Sequence, residues 1–312
     1  MRGPIRAAQV VKETPPMSLR QTLQFIVHHP LNREHKARAL ARFLKWQIGS
    51  RLVPGAVVVD WVPGTRVIVR PGETGMTQNV YCGLQDFEDM AYVLHVMTPQ
   101  DLFVDVGANV GSYTLLACAG KGACGFCFEP VPSTYRRLLD NLVLNNLKSR
   151  VRALNIGLAS EDGELAFSAL ENCMNHVIMN GARHTESVTV PVKTLDSVLR
   201  GESPSLMKID VEGFETSVLD GAQETLANPS LHSILIELNG SGTRYGFDED
   251  RILKLLRAQG FSPYEYSPFT RQLRRLPGKN TASGNTLFLR NEDEIRERIR
   301  RAPPVRVHSC EF

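Results

Sequence analysis

Asp105, Glu129, Asp210 and Glu237 each close a short apolar run, and Glu212 follows Asp210 two residues on. Carboxylates at strand ends can accept hydrogen bonds from a ribose, take a proton from an alcohol, or ligate a hard divalent cation. Between the first two acids lies Gly107-Ala-Asn-Val-Gly111, which joins the β-branched run 102–106 to a helical segment from Ser112. Gly107 can bend the chain sharply and admit a ligand to the backbone, and Gly111 lets the following helix pack closely. The start of that helix would favour an anionic part of a ligand.

The spacing then narrows the cofactor. A dinucleotide turn needs G-x-G-x-x-G, and Asn109 stands where the second glycine belongs; a P-loop needs Gly-Lys-Ser/Thr, which is absent. Glu129, closing the second strand, is placed to bind both hydroxyls of a ribose. A ribose without a pyrophosphate points to S-adenosylmethionine, with Asp105, Gly107, Asn109, Gly111 and Glu129 as its binding residues. Asn155 ends the third strand. The adjoining loop 157–163 either brackets an adenine edge, through its backbone and Glu161 or Asp162, or is an ordinary exposed turn.

Asp105-Val-Gly-Ala-Asn-Val-Gly111, Phe128-Glu-Pro130, Leu195-Asp196, Lys208-Ile-Asp-Val-Glu-Gly-Phe-Glu215, Ile236-Glu237 and Asn285-Thr-Leu-Phe288 follow one another in that order. In this order and spacing the chain resembles FkbM-type methyltransferases over roughly residues 75 to 290. The resemblance implies a Rossmann-like seven-stranded methyltransferase sheet. It also implies a glutamate near the methionine end of the cofactor, matched here by Glu88. The strand before Asp210 would face the methyl group, which makes Asp210 the leading general base, in contact with cofactor as well, and Glu212 the second candidate. Glu237 would lie beside them. The same carboxylates, with Asn239, could instead hold Mg²⁺. A purely structural alternative has Glu212 and Glu215 capping their own turn, and Lys208 in an ion pair. His176 is the histidine placed nearest a substrate hydroxyl. Asn/Asp-Pro-Pro-Tyr, frequent in amino-group methyltransferases, is replaced by Asp210-Val-Glu-Gly213, so the expected acceptor is a hydroxyl on a sugar or another polyhydroxylated or macrocyclic metabolite.

The elements that must position these groups alternate. Strands over 102–106, 124–128 and 150–155 are separated by helices over 112–120 and 132–146, a pattern that predicts a parallel sheet with its turns gathered at one rim. Strand-like runs 164–167 and 188–192 form an insertion. Strands 205–209 and 233–238, helix 248–258, strand 261–266, a basic loop 271–279 and an antiparallel strand 285–289 complete the sheet. Arg271, Arg274 and Arg275 of that loop either bind an acidic acceptor or stay solvated. Upstream, Ser18 caps a helix through His29, and Asn32 caps a second with Ala37, Leu40, Ala41, Leu44 and Ile48 on one face. A β-hairpin (56–61, 65–70) and a helix capped by Asp86 and running to Met97 follow. The predicted division is an N-terminal helical extension (1–50), a β-hairpin and helix leading into the core (51–100), the methyltransferase domain (101–290) and a charged C-terminal tail (291–312), whose residues 291–301 read as a charged exposed helix.

The 312 residues are 42% apolar, enough for a substantial core, and 36 basic against 33 acidic residues leave a charge of +3. Nothing there predicts a nucleic-acid partner. No apolar run of 18 residues and no secretory leader is seen, which predicts a cytoplasmic protein without a membrane span. Six cysteines, including Cys124 and Cys127, read as core thiols, and His28, His29 and His35 as surface histidines. The amphipathic N-terminal helices could cover the domain or form a homodimer. The functional alternative to a methyltransferase is a catalytically silent Rossmann-like binding or scaffold module.

Overall fold

A computed structural model describes residues 18–53, 55–71, 74–168, 176–178 and 187–312. Helix α1 (Leu19–His28) opens on a capping box, with the Gln21 N–H on Ser18 Oγ at 3.3 Å and the Ser18 N–H on Gln21 Oε1 at 2.8 Å. The next helix starts later than expected. Asn32 ends a buried 3₁₀ turn, where its amide donates to Ile26 O (2.9 Å) and accepts from Arg42 (2.7 Å), so it is not available as a cap. Helix α2 spans Lys36–Leu52 and buries Ala39 and Phe43, leaving the predicted face of Leu44 and Ile48 outward. His29 is buried, not on the surface. Its ring packs edge-on to Phe25 and Phe87, and burial pushes its pKa down to about 4.

The hairpin of β1 (Val57–Asp60) and β2 (Arg66–Val69) has the expected antiparallel register and leads to α3 (Thr74–Cys82) and α4 (Phe87–Val96). Then come β3 (Leu102–Val106), α5 (Ser112–Thr114), which runs on as a π-helical turn to Gly120, β4 (Cys124–Phe128), α6 (Pro132–Leu144) and β5 (Val151–Leu154). Strands β6 (Gly157–Leu158), β7 (Gly163–Ser168) and β8 (Ser187–Lys193) form a separate small sheet in the order β6-β8-β7. Helix α7 (Leu195–Val198), β9 (Leu206–Ile209), α8 (Glu215–Asp220), α9 (Gln223–Ala227), β10 (Ser233–Glu237), α10 (Glu249–Ala258), β11 (Ser262–Ser267), β12 (Gln272–Arg275) and β13 (Asn285–Leu289) follow. Helix α11 (Glu292–Arg301) and a hairpin of β14 (Arg306–Val307) and β15 (Cys310–Glu311) close the chain.

The main sheet runs β12-β11-β13-β10-β9-β3-β4-β5, parallel from β10 to β5 and antiparallel in its other pairings. It is Rossmann-like, as expected, with eight strands rather than seven. The extra strand is β12, inside the stretch read as a basic loop. Leu273 turns inward, while Arg274 pairs with Glu265 and Arg275 donates to Ser262 Oγ at 2.7 Å across to β11. Arg271 donates to Ala302 O at 2.6 Å, so these arginines are engaged within the fold.

Both faces of the sheet are covered, which is why its strands read as unbroken apolar runs. Phe103 and Cys127 face one cluster with Tyr92, Leu115 and Ile299; Val104, Phe126 and Ile209 face the other with Val218, Leu226 and Ile252. Cys127 is buried, whereas Cys124, at the strand's start, is exposed. The C-terminal helix is present as expected, but it and the segment after it are packed on the domain rather than exposed. Ile295 and Ile299 are buried, Arg298 pairs with the buried Asp101 at 3.0 Å, and Phe312 packs on Phe87 and His95. An i,i+4 spacing of two isoleucines amid charges carried that helix's inner face. Among the described residues no helix is long and apolar enough to cross a membrane.

Candidate active site

The carboxyl ends of β3, β4, β9 and β10 border a cavity of about 400 Å³, within the range of small-ligand sites. Gly107, Asn109, Glu129, Asp210, Glu212 and Glu237 all line it, so six residues chosen from the sequence converge on one rim. The turn after β3 is tight for a physical reason. Gly107 has φ +77°, and a Cβ there would lie 1.9 Å from the Asp210 carbonyl oxygen. Gly111, at φ +93°, lies against Leu138 of α6 rather than in the cavity. Asn109 also has positive φ, and its N–H donates to Glu129 Oε2 at 3.0 Å, while Glu129 Oε1 accepts from Val131 N–H at 3.0 Å. Burial pushes Glu129 up to about 7, against the pull of those two N–H groups.

Other predicted residues stand behind this surface. Asp105 is buried, and its Oδ2 accepts from the Thr114 N–H (3.0 Å) and Oγ1 (2.6 Å). It therefore caps the short helix itself, filling the place read as an anion site. The Asn155 amide donates to the carbonyls of Glu129 (2.8 Å) and Pro130 (2.9 Å), tying down the segment that carries Glu129. Loop 157–163 does not bracket the cavity; Asp162 accepts from Thr194 N–H at 2.9 Å and pairs with Lys193. Glu88 is exposed and does not line the cavity. The helix turns Asp86 and Met90 inward instead, because these two, four residues apart, share the face that Glu88 points away from. His176 is half-buried beside Ser168 and is not among the lining residues; segments 169–175 and 179–186 of that insertion lie outside the described residues. Asn239 accepts from Ser241 N–H at 2.9 Å and is exposed.

The acid cluster is coherent. Lys208 Nζ donates to Asp210 Oδ2 at 2.9 Å and lies 4.9 Å from the centre of the Tyr113 ring. Burial alone would lower the Lys208 pKa, but the carboxylates of Asp210, Asp105 and Asp86 outweigh it and hold the ammonium. Glu215 accepts from the N–H groups of Val211 and Gly213, both at 3.1 Å, so the capping role falls to it and leaves Glu212 facing the cavity. One oxygen each of Asp210, Glu212 and Glu237 lies within 4.8 Å of the others. Burial, then the field of Asp210 and Glu215, pushes Glu212 up to about 7. Burial and the Asp210 and Glu212 charges raise Glu237 well above the carboxylate range, and its Oε2 is buried with no hydrogen-bond partner among the described residues.

Sequence reasoning missed the opposite wall. Tyr113 donates to Asp86 Oδ2 at 3.2 Å, and Asn285 donates to Asp89 Oδ2 at 2.9 Å, which brings α4 and the start of β13 to the site. Burial raises Asp86, against the pull of Lys208, and pushes Asp89 up to about 7. Asp86 read as a helix cap, yet it makes no side-chain cap bond; the cluster of acids at 86, 88 and 89 was the available signal.

A mostly parallel sheet covered on both faces, with a glycine turn after β3 and a carboxylate-rich cavity across its strand ends, defines a Rossmann-like α/β ligand-binding domain. Residues 105–263 match the Methyltransferase FkbM domain, and the chain belongs to that family. It is 31% identical over 162 residues to the hexuronic acid methyltransferase AglP of Haloferax volcanii, a match covering 50% of this chain and 61% of that one. The match to the 31-O-demethyl-FK506 methyltransferase FkbM of Streptomyces tacrolimicus is 25% over 210 residues, 56% of this chain and 79% of that one. Among solved structures, a methyltransferase FkbM from Methylobacillus flagellatus aligns with a TM-score of 0.42 at 15% identity, over 62% of this chain and 44% of that one. The chain thus spans about three fifths of the length of that hexuronic acid methyltransferase.

Proposed function

We propose that this chain is an S-adenosylmethionine-dependent O-methyltransferase acting on a hydroxyl of a sugar or other polyhydroxylated or macrocyclic metabolite. The observation that carries the reading is the carboxyl lining of the cavity: Asp86, Glu129, Asp210, Glu212 and Glu237 line it beside Lys208 and Arg137. Such a wall offers a ribose and an acceptor hydroxyl several oxygens to hydrogen-bond, and it suits a ligand with a sulfonium. The relatives' names, a hexuronic acid methyltransferase and a 31-O-demethyl-FK506 methyltransferase, support a sugar or macrocycle as acceptor.

Gly107, Asn109 and Glu129 would hold the adenosyl part, with Asp105, Gly111 and Asn155 keeping that turn in shape. When bound, the cofactor supplies an activated methyl group. The protein's own work is then alignment, which can contribute about 7–11 kcal/mol, and removal of the acceptor's proton. Asp210, fixed by Lys208, accepts the hydrogen bond of the acceptor hydroxyl. Glu212, pushed up to about 7, shares the proton taken from it, and Glu237, raised further, stays protonated and donates rather than accepts. Activity should therefore rise with pH through a limb near 7, as Glu212 ionises.

Calorimetry on the purified chain should show binding of S-adenosylmethionine and of its demethylated product. Glu129→Ala should weaken both by roughly tenfold to a hundredfold, the worth of hydrogen bonds to a charged group. Absence of heat with either ligand removes the reading and leaves a binding module of another kind.

The 4.8 Å grouping of Asp210, Glu212 and Glu237 favours a second, narrower reading, in which the three carboxylates hold Mg²⁺ through oxygen. In that case a chelator should abolish turnover and Mg²⁺ restore it. Activity indifferent to the chelator leaves the carboxylates to proton transfer alone.

A further inference from the structure

Helix α2 is apolar on two opposite sides. Ala39 and Phe43 are buried and, with half-buried Trp46, pack toward Tyr81 and Cys82 of α3. Leu40, Leu44, Ile48 and Leu52 fall four residues apart on the other side, a single row along the helix. Leu44, Ile48 and Leu52 are 56%, 58% and 75% exposed, and Leu19 of α1, beside them, is 65% exposed. Leu19, Leu23, Val27 and Leu40 line a shallow groove between the two helices. The flanks of the row are cationic, with Lys36, Arg38, Lys45 and Arg51 all exposed. Residues 18–53 carry seven Lys and Arg against one acid, whereas the whole chain stands at +3.

We propose that the α1–α2 hairpin docks the protein on an anionic lipid surface, with the Leu40–Leu52 row entering the headgroup boundary and the flanking cations meeting the headgroups. A helix lying in the interface has this pattern, an apolar stripe edged by Lys and Arg. Two observations select lipid over a protein partner. A second copy seated on the same row would bring eight like charges together with only Glu34 of each copy to offset them. Side chains more than half exposed stand proud of the surface instead of walling a cleft for a partner helix. The docked hairpin lies one helix from the cavity, since α3 carries Met76 and Asn79 into the site on its other side. The inference stands on the hairpin alone and is independent of the proposed methyl transfer.

Cosedimentation of the full chain with vesicles tests it without any assay of activity. The chain should pellet with phosphatidylcholine vesicles containing phosphatidylglycerol, not with phosphatidylcholine alone, and binding should weaken as salt rises. Lys36→Gln with Lys45→Gln, which alters only exposed side chains, should lower partitioning by roughly thirtyfold. Leu44→Asp with Ile48→Asp should abolish it at an unchanged melting temperature. Equal pelleting with both vesicle types, or none with either, overturns the proposal. So does a dimer in light scattering that the Leu44→Asp/Ile48→Asp variant loses while vesicle binding persists.

Discussion

Asp210→Asn should lower turnover by roughly 10²–10⁴-fold, the usual contribution of a general base, while calorimetry finds cofactor affinity close to that of the unaltered protein. The expectation follows from the position of this one carboxylate. It takes the Lys208 ammonium at 2.9 Å, it faces the cavity, and its field is among the causes that raise Glu212 and Glu237. The amide has the same shape, and its oxygen can still accept from Lys208, so the turn that contacts Gly107 keeps its geometry. What disappears is the proton acceptor. Residual turnover remains because alignment of acceptor and methyl group does not depend on the base. A second readout separates this role from a structural one. With one negative charge removed, Glu212 is easier to ionise, so the pH limb near 7 should move to lower pH in the variant's residual activity. Full activity would remove Asp210 as the base, and a limb that stays in place would mean that the Asp210 charge does not act on Glu212.

The legible part of the sequence was the part in which position along the chain fixes position in space. Strands β3, β4, β9 and β10 are buried on both faces, so their apolar runs announce them, and whatever residue ends each run must stand at the carboxyl rim. That places Glu129, Asp210 and Glu237 at the rim from the sequence alone. Direction of a side chain was less legible. Asp105 sits at the end of such a run too, but Thr114 offers it two donors and turns it away from the cavity. Asp86 and Glu88 differ by less than one helical turn, and only the packing of α4 decides which one faces inward. In α2 two apolar rows compete; the aromatic one, Phe43 with Trp46, faces the protein, and the aliphatic row seen in the sequence is left outside. Strand β12 was hidden because an edge strand needs one inward residue, Leu273, and its outward arginines find partners only across the sheet in β11.

Among the described glycines, Gly107→Ala should be the most damaging replacement by alanine. At φ +77° any side chain is strained, and the new Cβ would fall 1.9 Å from the Asp210 carbonyl oxygen and 3.0 Å from its carbon. Both obstacles are backbone, so no rotamer change relieves them, and the β3 and β9 turns must separate. The strain and the separation together should cost about 3 kcal/mol or more of stability, seen as a lower denaturant midpoint. Because the same two turns carry Asn109 and Asp210 to the cavity, cofactor affinity and turnover should fall together, unlike in Asp210→Asn, where only turnover falls. Gly163→Ala is the matched control. No atom lies within 4 Å of its added Cβ, and its backbone is not in the left-handed region, so this change should be neutral or stabilising by about 0.4–1 kcal/mol. If Gly107→Ala unfolded at the same denaturant concentration as Gly163→Ala and bound cofactor as well, the β3 and β9 turns would not be in contact, and the site would lose the feature that brings its glycine turn and its acids together.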